Sequence, residues 1–463
     1  MAPITPPPFT LRGLNPDQVL VLINGKRQHQ SSLLNTNGTI GRGSSGVDIN
    51  TIALQSIERI EVLRDGAATQ YGLDAIAGII NIILKGFGQH NDLITTWGKT
   101  SRGDGITRQL ELFVIRPLTA DGFVNLTAEL RDRGRTNRAG ADTSDGNRIN
   151  THFGDADTQD GLFVLNAEMP SGDTAWYVQG TLDRRQSSAG AFFRPGGDER
   201  NITLIYPDGF LPLIEPKIND MSFTTGVKGV QDTGIRWDLS YTRGGNQYHF
   251  YVNHSLNRSL GDANPRSFDS GQTRYTQQII NLDLNQKLSP HNLAGGLEYS
   301  QEDYRISRGD EASFVLGPYS EWYPGAQGFG GFMPDNEVSA TRHSLAAYFD
   351  VKYTQRDWIT VGGAVRAEQY NDFGSTLNGK LALRLQPTRQ LLLRTSASSG
   401  FRAPSLTQSH FTSTAMVRNS EEILQYGIFG VDHPVAKALG ATNLKPEKSK
   451  NQKIKKSYTG SRI

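Results

Sequence analysis

From Asp92 to about Ser399 the chain runs in segments of about ten residues in which apolar and polar side chains alternate, separated by polar loops. The clearest segment sets Ile235, Trp237, Leu239 and Tyr241 against Arg236, Asp238, Ser240 and Thr242, and Leu345, Ala347, Phe349, Val351 and Tyr353 repeat the pattern. A third sets Gly379, Leu381, Leu383 and Leu385 against Lys380, Ala382, Arg384 and Gln386. Alternation at period two places every second side chain on one face of a strand. A chain with this pattern over most of its length is committed to antiparallel sheet, and two architectures satisfy it: a soluble sandwich or barrel, and a membrane barrel showing alternate residues to lipid.

Composition excludes a helical membrane bundle and suits a membrane barrel without deciding between the two. Only 36% of the 463 residues are hydrophobic and mean hydropathy is negative, with no run near the ~18 apolar residues of a membrane helix. Fifty glycines and 16 tyrosines suit many turns and aromatic girdles. A net charge of +2 with mixed signs gives no electrostatic footprint for nucleic acid. The absence of cysteine removes disulfides and thiolate metal sites.

About 14 strands are predicted, from 92–100 to 390–399, with 234–244 and 247–257 as two separate strands. Short links such as Gln355-Arg356-Asp357 and Pro387-Thr388-Arg389 read as turns at one end. The long links 136–160, 187–220, 261–273 and 307–341 read as loops at the other. Before the strands, Ile57, Ile60, Val62 and Leu63 read as a half-buried strand that stops at Arg64-Asp65-Gly66. Tyr71-Gly72 is a second turn, and Ala75, Ile76, Ile79, Ile80, Ile82 and Ile83 form a small core in which Gly78 permits close approach. This is a small α/β unit, preceded by a proline-rich lead-in and a polar, glycine-rich loop from Gln28 to Gly46.

Together, Leu11-Arg12-Gly13, Val19 to Arg27, Ile57 to Gly66, Tyr71-Gly72 and Ala77 to Ile83 resemble the plug domain of TonB-dependent outer-membrane receptors. Gly400-Phe401-Arg402-Ala403-Pro404-Ser405-Leu406 and Asn443-Leu444-Lys445-Pro446-Glu447 resemble segments of that family's barrel. The resemblance implies a partial plug over 1–88 and a partial β-barrel over 89–463, about 14 of the roughly 22 strands of a plugged transporter. No signal peptide and no counterpart of the peptide that recruits the energising TonB complex can be matched at the start. The segment after Lys448, with Lys453, Lys455 and Lys456, reads as a departure from the barrel pattern, because each lysine turned to lipid would cost about 2–4 kcal/mol near the midplane.

The function so implied is energised uptake of a scarce nutrient across the outer membrane, first an iron-siderophore complex, with cobalamin, haem and oligosaccharides open. The competing reading is a truncated, non-functional fragment or a passive surface protein. By resemblance Arg12 and Arg64 pair with wall glutamates to hold the plug, with Glu447 as a candidate partner. The plug loops turned toward cargo are represented by Asn15, Asp17, Gln28, His29, Gln30, Arg42 and Ser45. Tyr319, Trp322, Tyr323 and Phe329 in long loops are candidates for stacking on a ligand or for loop packing.

No catalytic, metal or cofactor assignment follows. Gly41-Arg42-Gly43-Ser44-Ser45-Gly46 matches a dinucleotide fingerprint formally, but no strand precedes it and no helix follows. His249 and His254 are spaced to opposite faces of a strand.

Overall fold

The computed structural model describes residues 10–36, 41–63, 75–88, 90–143, 146–356, 358–419 and 422–458. Arg64 and the turn signals at 64–66 and 71–72 lie outside these residues, as does the proline-rich start.

The N-terminal unit is a four-stranded sheet ordered β2-β1-β4-β3: β1 (Val19–Ile23), β2 (Lys26–Arg27), β3 (Ile57–Leu63) and β4 (Gly78–Leu84). Asn24-Gly25 joins β1 to β2 with φ of 47° and 81°, the pair of left-handed residues that a two-residue hairpin of the mirror-image type demands. Strand β4 runs parallel to β1 and antiparallel to β3. Both faces of β1 and β4 are buried. Val19, Val21, Ile23, Ile80, Ile82 and Leu84 form one core with Ile52 and Ala53, and Leu20, Leu22, Ala75 and Ile79 form another. Of the expected core, Ile79, Ile80 and Ile82 are buried, while Ile76 and Ile83 are half-buried. Val164, from the large sheet, completes the first core, so the small unit is packed against the larger one.

The remainder is a 15-stranded antiparallel sheet. Its long strands are β5 (Asp92–Gly98), β6 (Thr107–Pro117), β7 (Phe123–Arg133), β8 (Asp157–Ser171), β9 (Thr174–Gly190), β10 (Lys217–Val230) and β11 (Ile235–Asn253). They continue with β12 (Ser267–Leu288), β13 (His291–Ser307), β14 (Val338–Arg356), β15 (Ile359–Tyr370), β16 (Gly374–Leu385), β17 (Leu391–Arg402) and β18 (Glu447–Tyr458). Each pairs with its sequence neighbour, and links alternate strictly between the ends: two to five residues at one, mostly long loops at the other. Among the described residues β5 and β18, the two ends of the sheet, do not pair with each other.

Two strand expectations require correction. The segments 234–244 and 247–257 are one strand, β11, which passes through Gly244-Gly245 without a break in pairing to β10 and β12. The lysine-rich segment after Glu447 is the strand β18, paired with β17 from Arg402↔Glu447 to Leu391↔Tyr458. Lys453 and Lys455 face the interior, but Lys448, Lys450, Gln452 and Lys456 share the outer face with Ile454, which is 87% exposed, so the strand pairs with β17 without the apolar-outward alternation of its neighbours.

Exposure decides between the two architectures. Leu377 on the outer face of β16 is 72% exposed, whereas Asp183 on the inner face of β9 is 1% exposed. Leu182, Leu239, Leu297, Leu345, Phe349 and Leu381 repeat the first case, and Glu129, Thr181, Thr224 and Ser240 the second. A sheet with its large apolar residues outward and its carboxylates and hydroxyls inward is built for lipid outside and a polar lumen inside. The small domain occupies that lumen.

Candidate functional site

The groups that can act are where the plug meets the wall, and they fall into tiers. At the long-loop end, Leu33 and Leu34 at the tip of the plug loop pack in a cluster with Phe250, Phe329, Phe332 and Phe411. Phe329 lies 5.5 Å from Phe250 and 5.4 Å from Phe332, edge to face, so it serves loop packing. The other loop aromatics are also engaged. Tyr319 covers Gly261, Trp322 stacks under the Arg258 guanidinium at 3.4 Å, and Tyr323 donates to Glu199 at 3.3 Å.

Below the tip, the Ser32 hydroxyl lies 3.0 Å from both Asn246 Oδ1 and Thr273 Oγ1, and the Ser32 N–H donates to the same Asn246 oxygen at 3.0 Å. Asn246 in turn donates to Asp220, whose carboxylate meets His29 Nε2 at 3.1 Å. The His29 ring lies where a side chain on Gly244 would be, since a Cβ there would stand 2.3 Å from His29 Nδ1. The glycine pair in β11 is therefore a seat for a plug side chain, the close approach for which a strand keeps glycine. Alongside, Arg185 on the wall holds plug Asp48 at 2.8 Å, Asp183 at 3.0 Å, and Asp160.

A second tier joins the start of the plug to the end of the sheet. Arg402, 1% exposed at the end of β17, contacts Asp17 Oδ2 at 2.7 Å and Glu447 Oε1 at 3.1 Å. It also donates to the Asp17 carbonyl at 2.9 Å and to Gln408 Oε1 at 2.8 Å. Gln408 binds Asp17 and the Gly43 carbonyl, and Gln18 donates to Glu447 at 2.6 Å. Gln408 belongs to a short helix, Leu406–His410, whose last residue is held below the ordinary histidine pKa by burial and by the nearby Arg342.

The lower tier is mostly neutral. Asn24 donates to Gln179 at 2.8 Å and Asn166 at 3.3 Å, Asn166 and Asn125 bind backbone carbonyls of 85 and 86, and Lys26 reaches Asp238 at 3.2 Å.

The predicted site residues are rearranged by this geometry. Asp17, Gln28, His29 and Ser45 are buried rather than turned to cargo: Asp17 and His29 grip the wall, and Ser45 donates to the Ser31 carbonyl. Gln30 borders a cavity of about 30 Å³ with Gln28, Ser45, Tyr275 and Glu302, room for one or two waters. Asn15 and Arg42 are exposed. Arg12 is exposed on a left-handed turn, Arg64 is outside the described residues, and the arginine that meets Glu447 is Arg402 on the wall itself. The polarity of the expected contact is thus reversed at this point: the acid is on the plug and the cation on the barrel, and Glu447 reaches the plug through Gln18. His249 pairs with Asp269 at 2.7 Å, and among the described residues no three acids or histidines converge on a metal position.

Family comparison agrees with the plug-and-barrel fold. Residues 4–79 match the TonB-dependent receptor plug domain and residues 96–460 the TonB dependent receptor-like β-barrel. Among curated relatives, the ferric enterobactin receptor PirA of Pseudomonas aeruginosa is 23% identical, over 86% of this chain and 53% of its own length. The vitamin B12 transporter BtuB of Vibrio cholerae is 25% identical, over 90% of this chain and 58% of its own. The chain therefore spans little more than half the length of these relatives. A crystal structure of a mutant of the ferric enterobactin receptor PfeA of Pseudomonas aeruginosa superposes with a TM-score of 0.67 at 15% identity, covering 97% of this chain and 62% of that one.

Proposed function

This chain belongs to the TonB-dependent receptors, and from that membership we propose that it is the plug and part of the barrel of an outer-membrane importer that takes up a scarce nutrient when an energised TonB complex displaces the plug. The observation that carries the reading is the plug seated inside a sheet that is apolar outside and polar inside, held to the wall by ion pairs and hydrogen bonds as well as by apolar packing. Hydrogen bonds and ion pairs of this kind are directional and separable one at a time, which suits a part that must be displaced and return. The cargo proposed is an iron-siderophore complex. One relative is named a ferric enterobactin receptor and another a vitamin B12 transporter, and the iron reading rests on the first and on the matching fold.

In this account the Asp17–Arg402–Glu447 contact, with Gln408 and Gln18, is a latch between the plug and the wall. The exposed Asn15 and Arg42 are the plug positions left for contact with cargo.

The test uses the absence of cysteine. Ser32→Cys with Thr273→Cys, whose hydroxyls are 3.0 Å apart, ties the plug to the wall. In iron-starved cells expressing the encoding gene, uptake of labelled ferric enterobactin should stop in the double variant, recover on reduction, and persist in each single variant. Undiminished uptake with the tie formed would refute plug displacement, and absence of uptake in the unmodified protein would refute the cargo.

A further inference from the structure

The outer face of the wall changes character above its apolar belt. Ile280, Tyr299 and Leu345 are exposed and directly opposite one another on β12, β13 and β14, the last apolar row toward the long-loop end. Beyond it every outward position on β12 and β13 is polar: Gln278, Thr276 and Arg274 on one, Gln301, Asp303 and Arg305 on the other. Arg274 is directly opposite Arg305, and the same row runs on through Gln247 on β11 and Asn219 on β10 to Arg184 on β9. It holds three exposed arginines, two amides and no carboxylate.

Like charges directly opposite one another destabilise a sheet. Among the described residues no carboxylate pairs with any of the three, and Asp303, the outward acid below them, is engaged by Thr341 at 2.7 Å and Gln301 at 3.2 Å. The luminal arginines differ: Arg185, Arg342 and Arg366 each meet carboxylates. One row further up, Gln159, Gln186, Lys217 and His249 lie in register on β8 to β11. A recess of about 500 Å³ opens there, lined also by Ser188, Tyr251 and Asn253. Its acids are already bonded, Asp157 to Arg135 and Glu215 to Ser188 and Asn253. Height decides what could reach the arginine row. Arg274 and Arg305 each stand six residues above the last apolar row, about 20 Å along the strand and about 15 Å along the membrane normal at the usual tilt. The headgroup layer of a phospholipid leaflet is only about 5–8 Å deep. A phospholipid seated on the belt does not bring its phosphate to this row, and a lipid that reaches it carries its anionic groups on a taller head.

We propose that the outer face of β8 to β13 binds an anionic glycolipid of the leaflet on the long-loop side. Its acyl chains lie on the apolar belt, its phosphate or carboxylate groups meet the Arg184, Arg274 and Arg305 guanidiniums, and its sugar hydroxyls enter the recess above. Guanidinium forks match phosphate and carboxylate oxygens, and the amides, hydroxyls and phenol of the recess give a sugar both donors and acceptors. The row repels itself when empty and is neutralised when such a head is bound. The inference rests on the reading of the apolar face as lipid-facing, and it is independent of which cargo the importer carries.

The test is fluorescence anisotropy of two labelled lipids, each titrated with the refolded full chain in neutral detergent. One is deep-rough lipopolysaccharide, which carries phosphates and acidic sugars, and the other is phosphatidylglycerol, anionic with a short head. Lipopolysaccharide should bind saturably, at least about tenfold tighter than phosphatidylglycerol, and weaken as sodium chloride rises. Arg274→Gln combined with Arg305→Gln should weaken lipopolysaccharide about tenfold or more, the loss of two charge-assisted contacts, and leave phosphatidylglycerol unmoved. The corresponding double lysine variant should retain most of the affinity. Arg243→Gln, one outward position above Tyr241, lies within phospholipid headgroup depth and should weaken both lipids by a similar factor, about fivefold. Lipopolysaccharide no tighter than phosphatidylglycerol, or unmoved by the double glutamine variant, overturns the proposal. So does its displacement by inorganic phosphate as readily as by unlabelled lipopolysaccharide, since the row would then be an anion site with no use for a lipid. Failure of both lipids to bind would overturn the lipid-facing reading with it, whereas absence of ferric siderophore uptake removes the cargo reading alone.

Discussion

Replacing Arg402 by Gln should release the start of the plug while leaving the barrel folded. The Arg402 and Asp17 side chains are 2% and 3% exposed and the Glu447 side chain is 39% exposed, so removal of the guanidinium strands one carboxylate in a buried site and the other at its rim. A buried pair broken from one side costs about 3–5 kcal/mol, mostly the penalty of the uncompensated charge. That exceeds the separate worth of the neighbouring neutral hydrogen bonds, at about 0.5–1.5 kcal/mol each. Asp17→Asn should cost less, because Arg402 keeps Glu447 and Gln408 as partners. The double variant should recover part of the loss, since the stranded carboxylate is then gone. The assay is hydrogen exchange of residues 15–23 in detergent, with the exchange of β11 to β13 as an internal reference. Arg402→Gln should raise exchange in the first segment by roughly a hundredfold or more, the ratio that about 3 kcal/mol implies, with the reference unmoved. Equal exchange in wild type and variant, or a double variant worse than the sum of the two singles, would refute the latch.

Three further outcomes follow from the same geometry. Gly244→Ala puts a methyl 2.3 Å from His29 Nδ1, so the plug loop should be displaced at a cost of about 1–3 kcal/mol, with protease sensitivity near residue 30 that His29→Ala in the same chain relieves. Leu381→Lys, on the outer face, should cost about 2–4 kcal/mol on insertion into bilayers if that position lies near the midplane, whereas Ala382→Lys on the inner face should insert normally; urea titration in lipid vesicles separates them. In the loop end of the wall, Arg138, Thr100 and the Asn137 N–H hold the Asp104 carboxyl well below its ordinary value. Its folded pKa being depressed, the contribution is complete above the unfolded value of about 3.9 and disappears as pH falls through the folded one. Amide exchange at Asn137 should therefore stay slow at pH 5, quicken below about pH 4, and become insensitive to acid in Asp104→Asn.

The sequence carried the fold further than the site. Alternation in 235–241, 345–353 and 379–385 is a local property of strands, and it survives in β11, β14 and β16. The two strands expected at 234–244 and 247–257 part at Gly244-Gly245, but glycine inside a strand also marks a close approach by something else, here His29. The error at β18 came from weighing Lys453, Lys455 and Lys456 together. Taken alternately, Lys453 and Lys455 face the interior and Lys456 falls on the outer face with Ile454, so it is pairing with β17, not an apolar outer face, that makes this segment a strand. The site was less legible because its partners are hundreds of residues apart: Asp17 meets Arg402 and Ser32 meets Thr273 only after the sheet curls around the plug. Asp17 and His29 read from the sequence as cargo-facing loop residues, and nothing local distinguishes a side chain that grips the wall from one that faces cargo. Arg402 lies inside a segment already singled out, Gly400 to Leu406. An arginine at the inward position of a terminal strand turn, followed by Ser405 and Gln408 as a helix cap, was the signal available for it.

The central claim is a sheet with lipid on one face and a plugged polar lumen on the other. Its most direct test is a cysteine scan of 374–385 in the naturally cysteine-free chain, each position spin-labelled and reconstituted in phospholipid. Collision with oxygen, which concentrates in lipid, should peak at 377, 379, 381 and 383, and collision with a water-soluble nickel complex should be low at those positions. Uniform access of the nickel complex along the strand, or the two profiles in phase, would contradict the account.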